Sequence, residues 1–165
     1  MRVNVPRAGD RPTTSIAGPQ TQLSQQSPAE IWIQTLARLT AIPGTRHGPS
    51  SVSPPGTVAL FPDGIARPLV PEATLAPDGP LEPAHIHAVH DTSLHVVLPS
   101  ERGAELEALG WVEPHQYGDF GTEFLVYGPR DLEEQDAVVS IVLESLAWST
   151  GKDAFLAEAP RLPLG

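Results

Sequence analysis

Residues 82–98, EPAHIHAVHDTSLHVVL, constrain the fold of this chain more than any other stretch, because they set four of its six histidines into an alternating pattern. A strand sends successive side chains to opposite faces. His85 and His87 therefore share one face, with Ile86 and Ala88 on the other. Where His95 falls depends on the turn between strands expected near 83–89 and 93–98. A two-residue turn at Asp91-Thr92 sets His95 opposite to His85 and His87. A three-residue turn, Asp91-Thr92-Ser93, pairs Val89 with His95 and brings all three histidines to one face. The second register leaves Ile86, Ala88, Leu94, Val96 and Leu98 as a continuous apolar surface, and register follows the hydrophobic pattern. It is the register expected here.

The flanking sequence supplies the rest of a small domain. SPAE at Ser27–Glu30 has the form of a capping box with Pro28 at the first helical position, and Trp32, Leu36 and Leu39 follow at helical spacing up to Pro43-Gly44. Residues 45–56 read as a Gly/Pro/Ser loop. TVALF and IARPLV read as a hairpin about Pro62-Asp63-Gly64, with Pro68 confining the second strand to an edge. A second loop covers 71–80. A short helix is predicted from Glu101 to Leu109, closed by Gly110, and then strands in WVEPH and TEFLVYG joined through Gly118 and Gly121. A final helix opens on a capping box of Asp131 and Glu134, presents Val138, Ile141, Val142, Ser145 and Trp148 on one face, and stops at Gly151. Short turns between strands imply an α+β fold, a small antiparallel sheet with helices packed mainly on one face. Residues 1–26 are rich in Pro, Gln, Thr and Ser with no apolar repeat, so a disordered leader is expected there. The single domain is then 27–151, with 152–165 a flexible tail.

Several function classes fall away on composition. The net charge is −10, and between Glu101 and Glu158 only Arg102, Arg130 and Lys152 are basic. A phosphate backbone is repelled by such a surface, which argues against nucleic-acid binding. No apolar run is long enough to cross a bilayer, and no apolar stretch follows Arg2, Arg7 and Arg11 to make a secretory signal. Cysteine is absent, so thiolate ligands and nucleophiles are too. The expected setting is cytoplasmic.

The chemistry the sequence offers lies in the histidines. Three of them, His85, His87 and His95, can hold zinc and leave a position open for water. Two of them with Glu82 or Asp91 would suit non-haem iron. A single histidine can instead serve as general acid or base without metal. His115, at the end of WVEPH, joins this set if its strand lies beside the cluster. His47 sits in a Gly/Pro loop and reads as an exposed side chain. Ser93 lies between Asp91 and His95, but no G-x-S-x-G elbow is present. No phosphate-cradling glycine loop occurs. Paired carboxylates at Glu101/Glu105 and Glu133/Glu134 read as helix-start charges.

One ordered set of motifs carries a resemblance. Pro43-Gly44 ends a helix, TVALF follows, then Glu82, His85 and His87 as E-x-x-H-x-H. Next come Arg102 and Leu106 on a helix, Gly110 and His115 as G-x-x-x-x-H, and a last helix after Pro129-Arg130. In this order the chain resembles the bacterial and fungal family labelled luciferase domain, over about 31–150. The resemblance implies that Glu82, His85, His87 and His115 form a shared polar constellation, and it implies no particular reaction. His90 and the Asp91-Thr92 pair depart from the family's commonest form. Two readings follow. One is a small-molecule enzyme using the histidine cluster for acid/base or metal-assisted chemistry; the other is a non-catalytic ligand-binding or protein-interaction module.

Overall fold

The computed structural model describes residues 2–117 and 120–157. Along the chain these are α1 (Ala29–Thr40), β1 (Thr45–Pro49), β2 (Val58–Pro62), β3 (Ala84–Ile86), β4 (Leu94–Val97), α2 (Ser100–Ala108), β5 (Val112–Pro114), β6 (Glu123–Val126) and α3 (Leu132–Thr150), then a 3₁₀ turn at Asp153–Leu156. The strands form one sheet in the order β1-β2-β3-β4-β6-β5. Every neighbouring pair is antiparallel. The α+β class is as expected.

Strand register sorts the side chains into two faces. One cross-strand row runs Val58, Ile86, Leu94, Val126, Val112, and the next runs Leu60, Ala84, Val96, Phe124, Pro114. Apart from Pro114, these side chains join Val138, Ile141, Val142 and Leu146 of α3, and Leu39 of α1, in the core. The intervening row runs Gly48, Ala59, His85, His95, Leu125, Glu113 and faces the other way. So the helices cover the apolar face, and the histidines stand on the opposite one.

The β3–β4 connection is longer than the three-residue turn expected. The last paired residues are Ile86 and Leu94, and His85 pairs with His95 where Val89 was predicted to do so. Residues 87–93 form the connection. Within it the Asp91 and Thr92 amides both donate to the Ala88 carbonyl, at 3.0 and 2.9 Å. Asp91 Oδ1 accepts from the Ser93 amide (3.2 Å) and the Ser93 hydroxyl (2.6 Å). These side-chain bonds hold a compact loop that a strand pattern does not reveal. The two registers differ by an even number of residues, so the face assignment survives the shift and all three histidines remain together.

Other expectations need correction. Residues 45–49, read as loop, are strand β1, which pairs with β2. IARPLV forms no strand; β2 takes β1 and β3 as its neighbours instead. The Ser27 capping box does not form: α1 begins after Pro28 without a side-chain cap. The Ser27 amide donates to Thr92 Oγ1 at 2.9 Å, tying the approach to the helix onto the β3–β4 loop. At α3 half of the expected box is present. Asp131 accepts from the Glu134 amide, while the Glu134 carboxylate takes the Arg130 amide. Gly151, in the left-handed region at φ 70°, ends α3 as predicted.

Residues 2–26 contain no helix, and their one strand-like feature among the described residues is a bridge between Thr14 and Gln22. The lack of regular structure matches the composition, but the segment lies against the domain. Val3, Arg7, Gln20 and Gln22 are buried. The Arg7 amide donates to the Leu109 carbonyl at 2.8 Å, and Trp111 Nε1 donates to the Val5 carbonyl at 2.7 Å. Specific hydrogen bonds anchor this strap where hydrophobic periodicity is missing. Of the stretch expected as a flexible tail, Phe155 is buried in the core, and residues 158–165 lie outside the described residues.

Candidate functional site

Cross-strand pairing places the rings of His85 and His95 side by side, and His87 follows His85 at the start of the loop. Their centroids lie 5.2 Å (His85–His95), 5.1 Å (His85–His87) and 4.7 Å (His87–His95) apart. One ring nitrogen from each lies within 4.8 Å of the other two. His115, on the chain leaving β5, stacks edge-on against His95 at 5.3 Å. Its Nε2 lies 3.6 Å from Glu123 Oε1, and His95 Nδ1 lies 4.0 Å from the same oxygen. His95, His115 and Glu123 form a second group able to share an ion. The cleft above these rings has a volume of about 290 Å³. Its walls are Pro19–Thr21 of the strap, Val52–Pro55, and Tyr117.

The strap and the loop before β2 cover the open sheet face, so the histidines are buried despite pointing away from the core. His85, His87 and His95 are 2%, 5% and 7% exposed. Burial lowers the His85 imidazole below 6.5 even though Glu82 works against the shift. Burial again, reinforced by the His85, His87 and His115 rings, puts His95 well below 6.5. Both are neutral at pH 7.

Their hydrogen bonds then fix where each proton sits. His85 Nδ1 lies 2.7 Å from Glu82 Oε1 and donates to it, which leaves Nε2 as a lone pair. Glu82 also accepts from Ser50 Oγ at 2.6 Å, while its Oε2 is buried with no partner among the described residues. His87 Nδ1 lies 2.9 Å from Ser93 Oγ and 3.0 Å from Asp91 Oδ2. The Ser93 proton goes to Asp91, so His87 Nδ1 is the donor and its Nε2 is left for a ligand. Burial favours protonation of Asp91, but bonds from His87, Ser93 and the Gln22 amide outweigh it and hold the carboxyl below 3.8. Ser93 is fully buried and its hydroxyl is engaged by Asp91 and His87, which argues against a Ser93 nucleophile.

His95 is set by Gln20. The Gln20 amide nitrogen donates to Glu113 Oε1 and to the Pro114 carbonyl, both at 3.2 Å. Its oxygen therefore faces His95 Nε2, 3.0 Å away, and Nε2 must carry the proton. His95 Nδ1 is then a lone pair, 3.1 Å from the lone pair on His85 Nε2. Two lone pairs at that distance repel each other unless a cation lies between them. Tetrahedral ligands held about 2.0–2.1 Å from zinc are spaced this closely. A buried carboxylate behind His85, and another behind His87, are the outer partners that metal-ligating histidines commonly have.

The structure thus brings together His85, His87, His95, His115 and Glu82, the five residues singled out from sequence. His90 is exposed on the rim of the cleft. His47 is exposed on β1, not in a loop. Gln20 and Glu123 were missed. Glu123 is recoverable once β6 is placed beside β4, since it has the parity of Leu125. A single glutamine in a proline-rich segment gives no signal.

An antiparallel sheet with helices on one face and a buried tri-histidine cluster on the other defines this α+β protein. Residues 80–145 match the family model described as Luciferase domain, and over that stretch the chain is similar to that family. Luciferases of the fungi Armillaria ostoyae, Armillaria gallica and Neonothopanus nambi are 38%, 36% and 35% identical to it. Each alignment covers 44% of this chain and 30% of the relative, so less than a third of those proteins' length is represented here. No solved structure matches. No helix among the described residues is long and apolar enough to cross a membrane.

Proposed function

We propose that this chain is a small-molecule enzyme in which His85, His87 and His95 hold a divalent metal ion at the floor of the cleft. The observation that carries the reading is the convergence of imidazole lone pairs, with His85 Nε2 and His95 Nδ1 3.1 Å apart in buried, neutral rings. Three imidazole nitrogens suit zinc and also accept iron, and an open position would polarise a bound oxygen or water. Glu82 and Asp91 orient His85 and His87. His115 and Glu123, on the wall of the cleft, are placed to move a proton to or from a small molecule lying over the three rings. That the matched relatives are named luciferases supports an enzymatic over a purely binding role.

The test is metal analysis of untagged protein, followed by titration of the metal-free form with Zn²⁺ and Co²⁺. One ion per chain is expected, with the absorption of tetrahedral Co²⁺. Binding should be lost in the His85→Ala/His87→Ala double variant and in the milder His87→Gln. Wild-type protein that is isolated metal-free and takes up neither ion would overturn the proposal.

A further inference from the structure

We infer that Gln20 is a positioning residue that selects the tautomer of His95 and so turns the His95 Nδ1 lone pair toward His85. Gln20 belongs to the N-terminal strap, outside the matched residues 80–145. Its side chain is buried at 4% exposure. An amide that is free to flip cannot dictate a tautomer, because it offers either an acceptor or a donor. Gln20 is not free to flip. Its nitrogen is held by two oxygens that only accept, the Glu113 carboxylate and the Pro114 carbonyl. Reversal would place the amide oxygen against both. The oxygen is therefore committed to His95 Nε2.

The consequence reaches across the sheet. In the other tautomer, His95 Nδ1–H would donate to His85 Nε2, and that one hydrogen bond would satisfy both nitrogens without a cation. With Gln20 in place this internal solution is blocked. The strap thus keeps the pair in the state competent to bind a cation. It is itself held by the Gln22 amide on Asp91 Oδ1 (3.0 Å) and by the Gly128 amide on Gln22 Oε1 (2.8 Å). The value of this state for binding rests on the metal reading above; the tautomer assignment does not.

The experiment reads the tautomer directly, by long-range ¹H–¹⁵N correlation of the imidazoles in metal-free full-length protein, alongside Zn²⁺ affinity by competition. In the wild type, His95 is expected as the Nε2–H form. Gln20→Leu should lose that preference and bind Zn²⁺ about 10–100-fold more weakly, the usual cost of removing an outer partner of a ligand histidine. The Gln20→Glu/Glu113→Gln double variant exchanges the partners of that contact: it keeps an oxygen acceptor for Nε2–H and gives the second carboxylate oxygen an amide donor at position 113. It should retain the wild-type tautomer and most of the affinity. A wild-type His95 protonated on Nδ1, or Gln20→Leu with an unchanged tautomer, would overturn the inference. So would the double variant failing as badly as Gln20→Leu, since Gln20 would then only anchor the strap. If wild type binds no Zn²⁺ while the tautomers respond as stated, the role of Gln20 stands and the metal reading falls.

Discussion

Replacing Glu82 by Gln should separate what this carboxylate does for folding from what it does for the site. The side chain is fully buried. Oε1 accepts from His85 Nδ1 at 2.7 Å and from Ser50 Oγ at 2.6 Å, and Oε2 has no partner among the described residues. Two hydrogen bonds to a charged group contribute about 1.5–3 kcal/mol each, and neutral ones about 0.5–1.5. The change therefore gives up about 2–3 kcal/mol of hydrogen bonding. Against this, burying a carboxylate with one bare oxygen costs several kcal/mol, which the neutral amide largely avoids. The two nearly cancel, and the metal-free variant should melt within about 1 kcal/mol of wild type. Metal affinity has no such compensation. An amide leaves His85 Nε2 less basic, and the expected loss is about 10–100-fold, or about 1.4–2.8 kcal/mol. Competition titration and thermal unfolding of the same samples give both numbers. Unchanged affinity would refute the outer-partner role, and a stability loss above about 3 kcal/mol would show Glu82 to be chiefly structural.

Two further outcomes follow from the packing and the charges. A Cβ at Gly103 would lie 1.9 Å from Phe124 Cζ in a buried ring; overpacking of about 1–3 kcal/mol should outweigh the helix preference of about 1 kcal/mol, so Gly103→Ala lowers the melting temperature. Its melting at or above wild type would show that α2 shifts freely on β6. His85 and His95 are held below 6.5 in the folded chain. The unfolded state therefore binds more protons as the pH drops through 6.5, and stability present above that value declines below it. Melting curves between pH 8 and 5 should show the decline, shallower in His95→Phe, and an identical slope in that variant would refute the assignment.

The site was more legible in the sequence than the connections that build it. Period-two alternation put His85, His87 and His95 on one face, and any register preserving the apolar row Ile86, Leu94, Val96 yields the same result. That is why a wrong turn length did no harm. α3 was legible in its ends and most of its core face, because an Asp131 cap, the apolar positions Val138, Ile141 and Val142, and Gly151 agree. Trp148, expected on that face, is only half-buried and lies outside the core. β1 was not legible. TRHGP contains Gly48 and Pro49, residues depleted in strands, in a segment paired on one side only. The strap was illegible for another reason. Gln20 and Gln22 act through single directed hydrogen bonds, and such bonds leave no period in a sequence.

Burial on the non-core face is what makes the cluster chemically distinct. Three imidazoles on an open sheet face would sit in water, titrate near 6.5 and repel one another only weakly. Covered by the strap and by Val52–Pro55, they lose that solvation, which holds His85 and His95 neutral and strengthens the pull of their lone pairs on a cation. The surrounding charge works in the same direction. A chain of net charge −10 raises the local concentration of divalent cations, and Glu123 stands at the cleft wall rather than in the histidine floor. On the proposed metal reading, negative charge would draw a cation in and the histidine nitrogens would receive it. An ion held by neutral ligands keeps more of its positive charge than one neutralised by carboxylates, and so polarises a bound oxygen more strongly. The strap that supplies Gln20 is for this reason part of the site's electrostatics as well as its cover.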